Sequence, residues 1–381
     1  MAQSIRLPAT IQGANGYYTA KLLLGAGGVA AEIILDTGSA MLIVQGTSLD
    51  PVASGCTTTN LLQQAQYAAM NALCAVVTGA VALGSPGAPI ALPNANIGVI
   101  YDGGAGLGTA AGIWGLAYSP KNTALQMPAD TWLTKYAATD LGPGAPRQIT
   151  PLFDQLTAAG LLGGQFAFRL NRALQRQALA NPASDPLNTG LFLAGGGMEA
   201  DDLHSGPFRR IAVVHESFYN VNLLSVQVGA AAPIPVPAPF PGSSAASTAF
   251  VDSGMSNLQL DQNLFNAVVA DLQALNPVFA AAVTRQAKGG ENQAALNLAA
   301  WPDLVLTFEA DGGGVASIAI PPNAYWQEDA AGPGRAVIML TPDGFAFGGQ
   351  SVLGLPFFVG NYVVFDRSVP GGGVIAVAQG A

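Results

Sequence analysis

The sequence predicts an all-β fold, mostly strand with a few short helices, built from two copies of one lobe about a pseudo-twofold axis. Three observations predict it. Glycine (47) and proline (26) are abundant and spread along the chain, as many short strands joined by turns require. The length of 381 residues suits two lobes, each large enough for its own core. The same series of segments also occurs twice: an aromatic strand, an Asp turn, a long excursion, then apolar-apolar-Gly.

The first copy opens with Tyr17-Tyr18-Thr19-Ala20-Lys21-Leu22-Leu23-Leu24. The apolar run Ile33-Ile34-Leu35 then leads into Asp36-Thr37-Gly38-Ser39, and Met41-Leu42-Ile43-Val44 leads away. Ile113-Trp114-Gly115 closes the copy. The second copy opens with Phe218-Tyr219-Asn220-Val221-Asn222-Leu223-Leu224. Ala249-Phe250-Val251 leads into Asp252-Ser253-Gly254-Met255-Ser256, Leu258 and Leu260 follow, and Val352-Leu353-Gly354 closes it. A carboxylate between two apolar strands is expensive to bury. A tight Gly-containing turn presents it at a cleft instead. Singly, each Asp-(Ser/Thr)-Gly triplet is ordinary turn chemistry, since Asp accepts local amides and Gly allows positive φ. As a pair with repeated flanks, they imply two carboxylates facing each other across the axis.

Three stretches between these motifs carry no chemistry of their own. Residues 171–188 are polar, Ala-rich and Pro-containing, and are expected to hold a short helix and a loop at the lobe boundary. The lobes are accordingly placed at 1–185, with the first Asp, and 186–381, with the second. Residues 230–247 are Pro/Ala/Ser-rich and read as a long surface loop. Residues 263–287 have helical spacing, with Leu264, Val268, Leu272 and Leu275 on one face.

With these motifs the chain resembles the pepsin-like aspartic proteases, nearly end to end, as a two-lobed, bacterial-type homologue. Gly112-Ile113-Trp114-Gly115-Leu116-Ala117-Tyr118 looks like the segment that closes that family's first catalytic loop. Thr150-Pro151-Leu152-Phe153-Asp154-Gln155-Leu156 and Phe166-Ala167-Phe168-Arg169-Leu170 look like its helix and the strand into the interlobe sheet. Gly190-Leu191-Phe192-Leu193-Ala194-Gly195-Gly196 resembles the strand after that. Val352-Leu353-Gly354-Leu355-Pro356-Phe357-Phe358 and Tyr362-Val363-Val364-Phe365-Asp366-Arg367 resemble the C-terminal signature.

The resemblance implies a bilobal pepsin-like acid protease fold and an aspartic endopeptidase that cuts between large hydrophobic residues. Asp36 and Asp252 would be the catalytic pair, sharing one proton and activating a water between them. Thr37 and Ser253 would brace the two loops. Ser39 would donate to the outer oxygen of Asp36. Gly38, Gly254 and Ser256 would support the turns, and Gly115 and Gly354 would close the loops. Neither a cofactor nor a metal is implied. The partner would be a peptide or protein in the interlobe cleft, with pepstatin-type compounds as inhibitors and a monomer as the working form. The chain begins shortly before Tyr17, so a mature form, or a protein that works without a prosegment, is expected.

Three positions depart from the family pattern. Met255 stands where the second loop usually carries a hydroxyl, so Asp252 lacks a donor unless Ser256 or a water supplies one. The tryptophan usual after the first loop is replaced by an aliphatic stretch around Leu42 and Ile43. The flap, a hairpin bearing a tyrosine, is not recognisable across residues 69–84, and Tyr67 is a distant candidate. These departures keep a second reading open: a weak or inactive pepsin-like protein that binds peptides. A sugar-binding or purely structural β protein would leave the paired motifs unexplained.

Other classes are excluded by composition and motif. The net charge of -9 with scarce lysine disfavours nucleic acid, which needs clustered cations. No run of 18 or more apolar residues occurs, so no membrane span is expected. His204 and His215 are the only histidines and form no ligand pattern. Neither a phosphate-binding Gly-Lys-Ser/Thr loop nor a Gly-x-Ser-x-Gly elbow is present. The charged fraction of 10% leans toward an extracellular or periplasmic setting. The lack of a visible signal peptide leaves a cytoplasmic one open. Cys56 and Cys74 are the only cysteines; an oxidising compartment would favour a bridge between them, two free thiols being the alternative.

Overall fold

The structure is a computed structural model that describes residues 2–12, 16–67, 70–84, 89–104, 106–127, 145–239, 245–287, 289–343 and 348–381. It is mostly β, with 47% strand and 15% helix. The aromatic strand of the first copy is Tyr17–Leu24, and its Asp strand is Val29–Asp36. Leu42–Gln45, Ile90–Gly103 and Gly112–Gly115 complete the arrangement around the first Asp turn. Tyr17–Leu24 runs antiparallel to the Asp strand, which runs parallel to Gly112–Gly115. Gly112–Gly115 is antiparallel to Leu42–Gln45, which is parallel to Ile90–Gly103.

The second half of the chain repeats this order and these directions. Tyr219–Val221 is antiparallel to Ala249–Val251, which is parallel to Ser351–Leu353. Ser351–Leu353 is antiparallel to Leu258–Leu260, which is parallel to Leu340–Pro342. Parallel neighbours need a crossover connection, and here each Asp turn and its apolar-apolar-Gly segment are the two ends of one. The first set also closes into a barrel, because Met70–Leu83 pairs with both Ile90–Gly103 and Tyr17–Leu24. Inward positions alternate along these strands, as in Tyr18, Ala20, Leu22 and Leu24, all buried.

A continuous antiparallel run joins the halves. Its order is Ile5–Gln12, Thr189–Ala194, Gln165–Leu170, Asn361–Asp366, Val374–Gly380 and His204–Ala212. Its aromatic side chains pack into one core: Phe166 stacks on Phe365 with centroids 4.9 Å apart, and Tyr219 meets Phe365 at 4.5 Å. The Tyr219 hydroxyl donates to the Leu116 carbonyl at 2.7 Å, and the Leu116 amide donates to the Asp36 carbonyl at 2.7 Å. A residue of the second half is thus tied to the first Asp turn. Arg367 pairs with Asp154 at 2.8 Å and lies over the Tyr118 ring, anchoring helix Leu152–Ala158 beside this core.

Three expectations are refined. Residues 171–188 form an extended excursion whose short helices are two 3-10 turns, Pro182–Ser184 and Pro186–Asn188. Proline at the start of each turn, and Asp185 accepting the Leu187 amide, favour single turns over a continuing helix. Residues 263–287 form two helices, Gln262–Leu275 and Pro277–Arg285. Asn276 is extended and caps the second, with Pro277 in its first turn, so the first helix stops there and Leu275 is left 49% exposed. Within the 230–247 loop, Ile234–Pro235 pairs with Leu223–Val228; residues 240–244 lie outside the described residues.

Candidate active site

The two Asp turns meet. Asp36 ends its strand buried, and Asp252 follows Ala249–Val251 partly exposed. Each carboxylate accepts the amide two residues on: Gly38 N to Asp36 Oδ1 and Gly254 N to Asp252 Oδ1, both at 2.8 Å. This is the local Asp turn bond expected from sequence. The glycines have a second role. A methyl group on Gly38 would collide with the Asp252 carboxylate, and one on Gly254 with that of Asp36. Each glycine therefore gives up its side chain to the other turn's carboxylate.

The backbones below are locked reciprocally. The Thr37 amide donates to Ser253 Oγ at 3.0 Å, and the Ser253 amide donates to Thr37 Oγ1 at 2.8 Å. The hydroxyls then donate onward to the opposite half of the chain, Thr37 to the Val251 carbonyl at 3.0 Å and Ser253 to the Leu35 carbonyl at 2.8 Å. Thr37 and Ser253 are almost completely buried, so each of these polar groups needs its partner. Gly115 and Gly354 sit under the turns. A methyl on Gly115 would meet the Ala40 and Met41 amides, and one on Gly354 would meet the Met255 and Asn257 carbonyls.

The two carboxyls are in hydrogen-bond contact, and their surroundings differ. Ser39 Oγ donates to Asp36 Oδ2 at 2.5 Å. Burial raises the pKa of Asp36, while Ser39, the Gly38 amide and Asp252 oppose that rise. Asp252 is pushed well above the usual carboxylate range, first by burial and then by the charge of Asp36. Among the described residues, no hydroxyl reaches Asp252 as Ser39 reaches Asp36; Met255 cannot donate, and Ser256 does not turn to it. Hydrogen bonds to a charged form favour it. The shared proton therefore belongs on Asp252 and the charge on Asp36.

An apolar wall includes Ile34, two residues before Asp36. Ile34, Ile43, Met70, Leu107 and Ile113 are buried together, with Tyr17 and Met41 partly exposed against them. Tyr17 is held above its usual pKa by partial burial and then by the charge of Asp36, and it opens the strand that runs antiparallel to the Asp36 strand, with Thr19 opposite Ile34. Sequence reading took Tyr17 only as part of an aromatic strand; its position at the strand start was the available signal. The stretch in which no flap was recognisable forms a hairpin, Thr57–Tyr67 with Met70–Leu83, whose distal pair Tyr67–Met70 brings Met70 into this wall.

The cysteines are both free, the second of the two alternatives left open by the sequence. Cys56 packs against Gly79, and Cys74 lies five residues back on the same strand, roughly 16 Å away at the usual rise. A disulfide spans Cα atoms no more than about 7 Å apart. His204 stacks on Tyr362 and His215 accepts the Ser217 amide, in separate places. No helix among the described residues is long and apolar enough to cross a membrane. No model of a known protein family matches this chain, and no curated protein matches it at a significant level.

Proposed function

We propose that the protein is an aspartic endopeptidase of pepsin-like, two-lobed architecture, with Asp36 and Asp252 as its catalytic pair. The observation that carries the reading is the contact of two carboxyls, each on the same turn of a repeated five-strand arrangement and each in a different protonation environment. Two carboxyls this close share one proton, the pattern for which aspartic proteases are the worked example. Asp36, ionised, takes a proton from a water between the two. The water oxygen bonds to the scissile carbonyl carbon, and Asp252 gives its proton to the carbonyl oxygen. The tetrahedral diol collapses as Asp36 gives its proton to the amide nitrogen, the C–N bond breaks and the amine leaves, and one diol hydroxyl returns its proton to Asp252 as it becomes the carbonyl of the acid product.

The two lobes, 1–185 and 186–381, each bring one turn, and the antiparallel run beneath draws strands from both. The substrate is a peptide or protein in extended form, held by backbone hydrogen bonds with side chains in alternating pockets. Large apolar residues are taken on either side of the cut. No cofactor enters the reaction as written. The test is cleavage of a mixed peptide library from acid to neutral pH, with and without pepstatin. Pepstatin-sensitive cutting at apolar pairs, lost in Asp36→Asn and in Asp252→Asn with the fold intact, is the expected result. Cleavage that survives both substitutions, or that a chelator stops, refutes the pair. A second reading, a peptide-binding protein with weak or absent hydrolysis, draws on Met255, which leaves Asp252 without the hydroxyl donor that Asp36 has.

A further inference from the structure

We propose that segment 172–177 of the chain itself shuts one end of the cleft beside the Asp36–Asp252 pair. An extended peptide then has room for only about three residues on that side and runs freely on the other. The proposal deepens the protease reading and rests on it for the word substrate; the wall itself is a matter of geometry.

Strands Gln165–Leu170 and Thr189–Ala194 are antiparallel neighbours that a tight hairpin could join. Instead the chain makes the 171–188 excursion, and its first part passes Gly16. Ala173 and Leu174 are buried, and both lie close to Gly16, as Ser256 does. A methyl group built on Gly16 would stand 2.7 Å from the Ala173 carbonyl oxygen, 2.8 Å from Ser256 Cβ and 3.4 Å from Leu174 Cδ1. Gly16 directly precedes Tyr17, which feels the charge of Asp36, and Ser256 follows the turn that begins at Asp252. The entrance strand of the first half and the Asp turn of the second half therefore touch here, with Leu174 over the seam.

The position of the seam sets the length limit. The Met255 amide donates to the Asp252 carbonyl at 3.2 Å, so this is a turn. Its end Cα atoms lie within about 7 Å of each other. Ser256 is one further step of about 3.8 Å. An extended peptide advancing about 3.3 Å per residue meets the seam after about three residues.

The segment is fastened at every residue. The Arg172 guanidinium donates to the carbonyls of Leu174, at 3.0 Å, and Glu328. The Arg172 carbonyl accepts the Tyr18 hydroxyl at 3.1 Å. The Ala173 amide donates to Gln327 at 2.9 Å, and Gln175 Nε2 to the Ile11 carbonyl at 3.2 Å. Arg176 pairs with Asp185 and Asp329, both at 3.1 Å, and the Gln177 amide donates to the Asp329 carbonyl at 2.7 Å. Anchors on both the Tyr18 side and the 327–329 side make this a fixed wall.

The experiment is a peptide ladder on the full chain. Peptides with one apolar cleavage site are lengthened a residue at a time at either end, the other end being kept long, and kcat/KM is read. The same ladder, labelled at the long end, is titrated against Asp252→Asn by fluorescence anisotropy. The expected result is a drop of at least about tenfold in kcat/KM, with a parallel loss of binding, once one end passes about three residues; the other end shows no limit. Leu174→Gly, with its fold checked by circular dichroism, is expected to regain binding of the longer peptides. Equal cleavage and binding of peptides long at both ends overturns the wall while leaving the protease reading. Length-limited binding without any cleavage keeps the wall and removes that reading. No cleavage and no binding at any length removes both.

Discussion

Thr37 and Ser253 exchange hydrogen bonds in both directions, each amide donating to the other's hydroxyl. Each hydroxyl also donates to a carbonyl in the other half of the chain. The two Asp turns thus cannot separate without stranding four buried donors. Leaving one buried group unsatisfied costs about 1–3 kcal/mol. Thr37→Val and Ser253→Ala are each expected to lower stability by that amount in denaturant unfolding. The double variant is expected to lose less than the sum, because the two residues satisfy each other. Strict additivity would show that the exchange does not hold the turns together.

The same closeness makes Gly38 and Gly254 sensitive to a single carbon. A methyl on either enters the carboxylate of the opposite turn. Gly38→Ala and Gly254→Ala are expected to cost about 1–3 kcal/mol and to abolish peptide cleavage. A variant of either kind with full activity and unchanged melting would contradict the contact.

Met255 should govern the acid side of the pH–rate profile. Asp36 has the Ser39 hydroxyl and Asp252 has no counterpart. Met255→Thr is expected to supply a donor to Asp252, favour its charged form and ease ionisation of the pair. The acidic limb of kcat/KM then moves to lower pH, within the roughly 1.5–3 kcal/mol of one bond to a charged group. An unmoved limb, or one at higher pH, removes Met255 from this role.

Stability should depend on the pair's proton. The carboxyl of Asp252 is raised well above its unfolded value, by burial and by the charge of Asp36. A raised carboxyl stabilises the fold fully below the unfolded pKa of about 3.9 and loses that contribution as pH climbs through the folded pKa. Asp252→Asn, which cannot ionise, is expected to melt above the native protein at neutral pH and level with it near pH 4 or below. A constant difference at all pH values would mean that ionisation of Asp252 carries no cost.

The free cysteines give a chemical test. Burial pushes the Cys74 thiol up to about 12, while Cys56 is partly exposed and raised less. Only the thiolate reacts readily. Cys56 is expected to be alkylated in the native protein, and Cys74 only after unfolding. A mass two hydrogens light without reductant would show a bridge that the present strand register forbids.

Much of the β character and the pairing of Asp36 with Asp252 could be read from the chain. Local chemistry writes both: apolar runs need strands, Asp-Thr-Gly and Asp-Ser-Gly need turns, and a series repeated in order implies a repeated arrangement. Strand Tyr17–Leu24 matches its sequence limits, and Gly115 and Gly354, each at the end of a repeated apolar-apolar-Gly segment, pack closely on residues 40–41 and 255–257. Tertiary structure decided what depends on distant neighbours. The separation of Cys56 from Cys74 follows from the hairpin register, which no spacing encodes. Two helices replace one because Asn276 caps the second with Pro277 inside it, a local signal that the wider apolar spacing masked. The path of residues 171–188 to Gly16 and Ser256 rests on Arg172, Gln175 and Arg176 finding partners far away in sequence. The division of charge between Asp36 and Asp252 belongs to the fold as well. It is set by which hydroxyl turns toward which carboxylate once the two halves close.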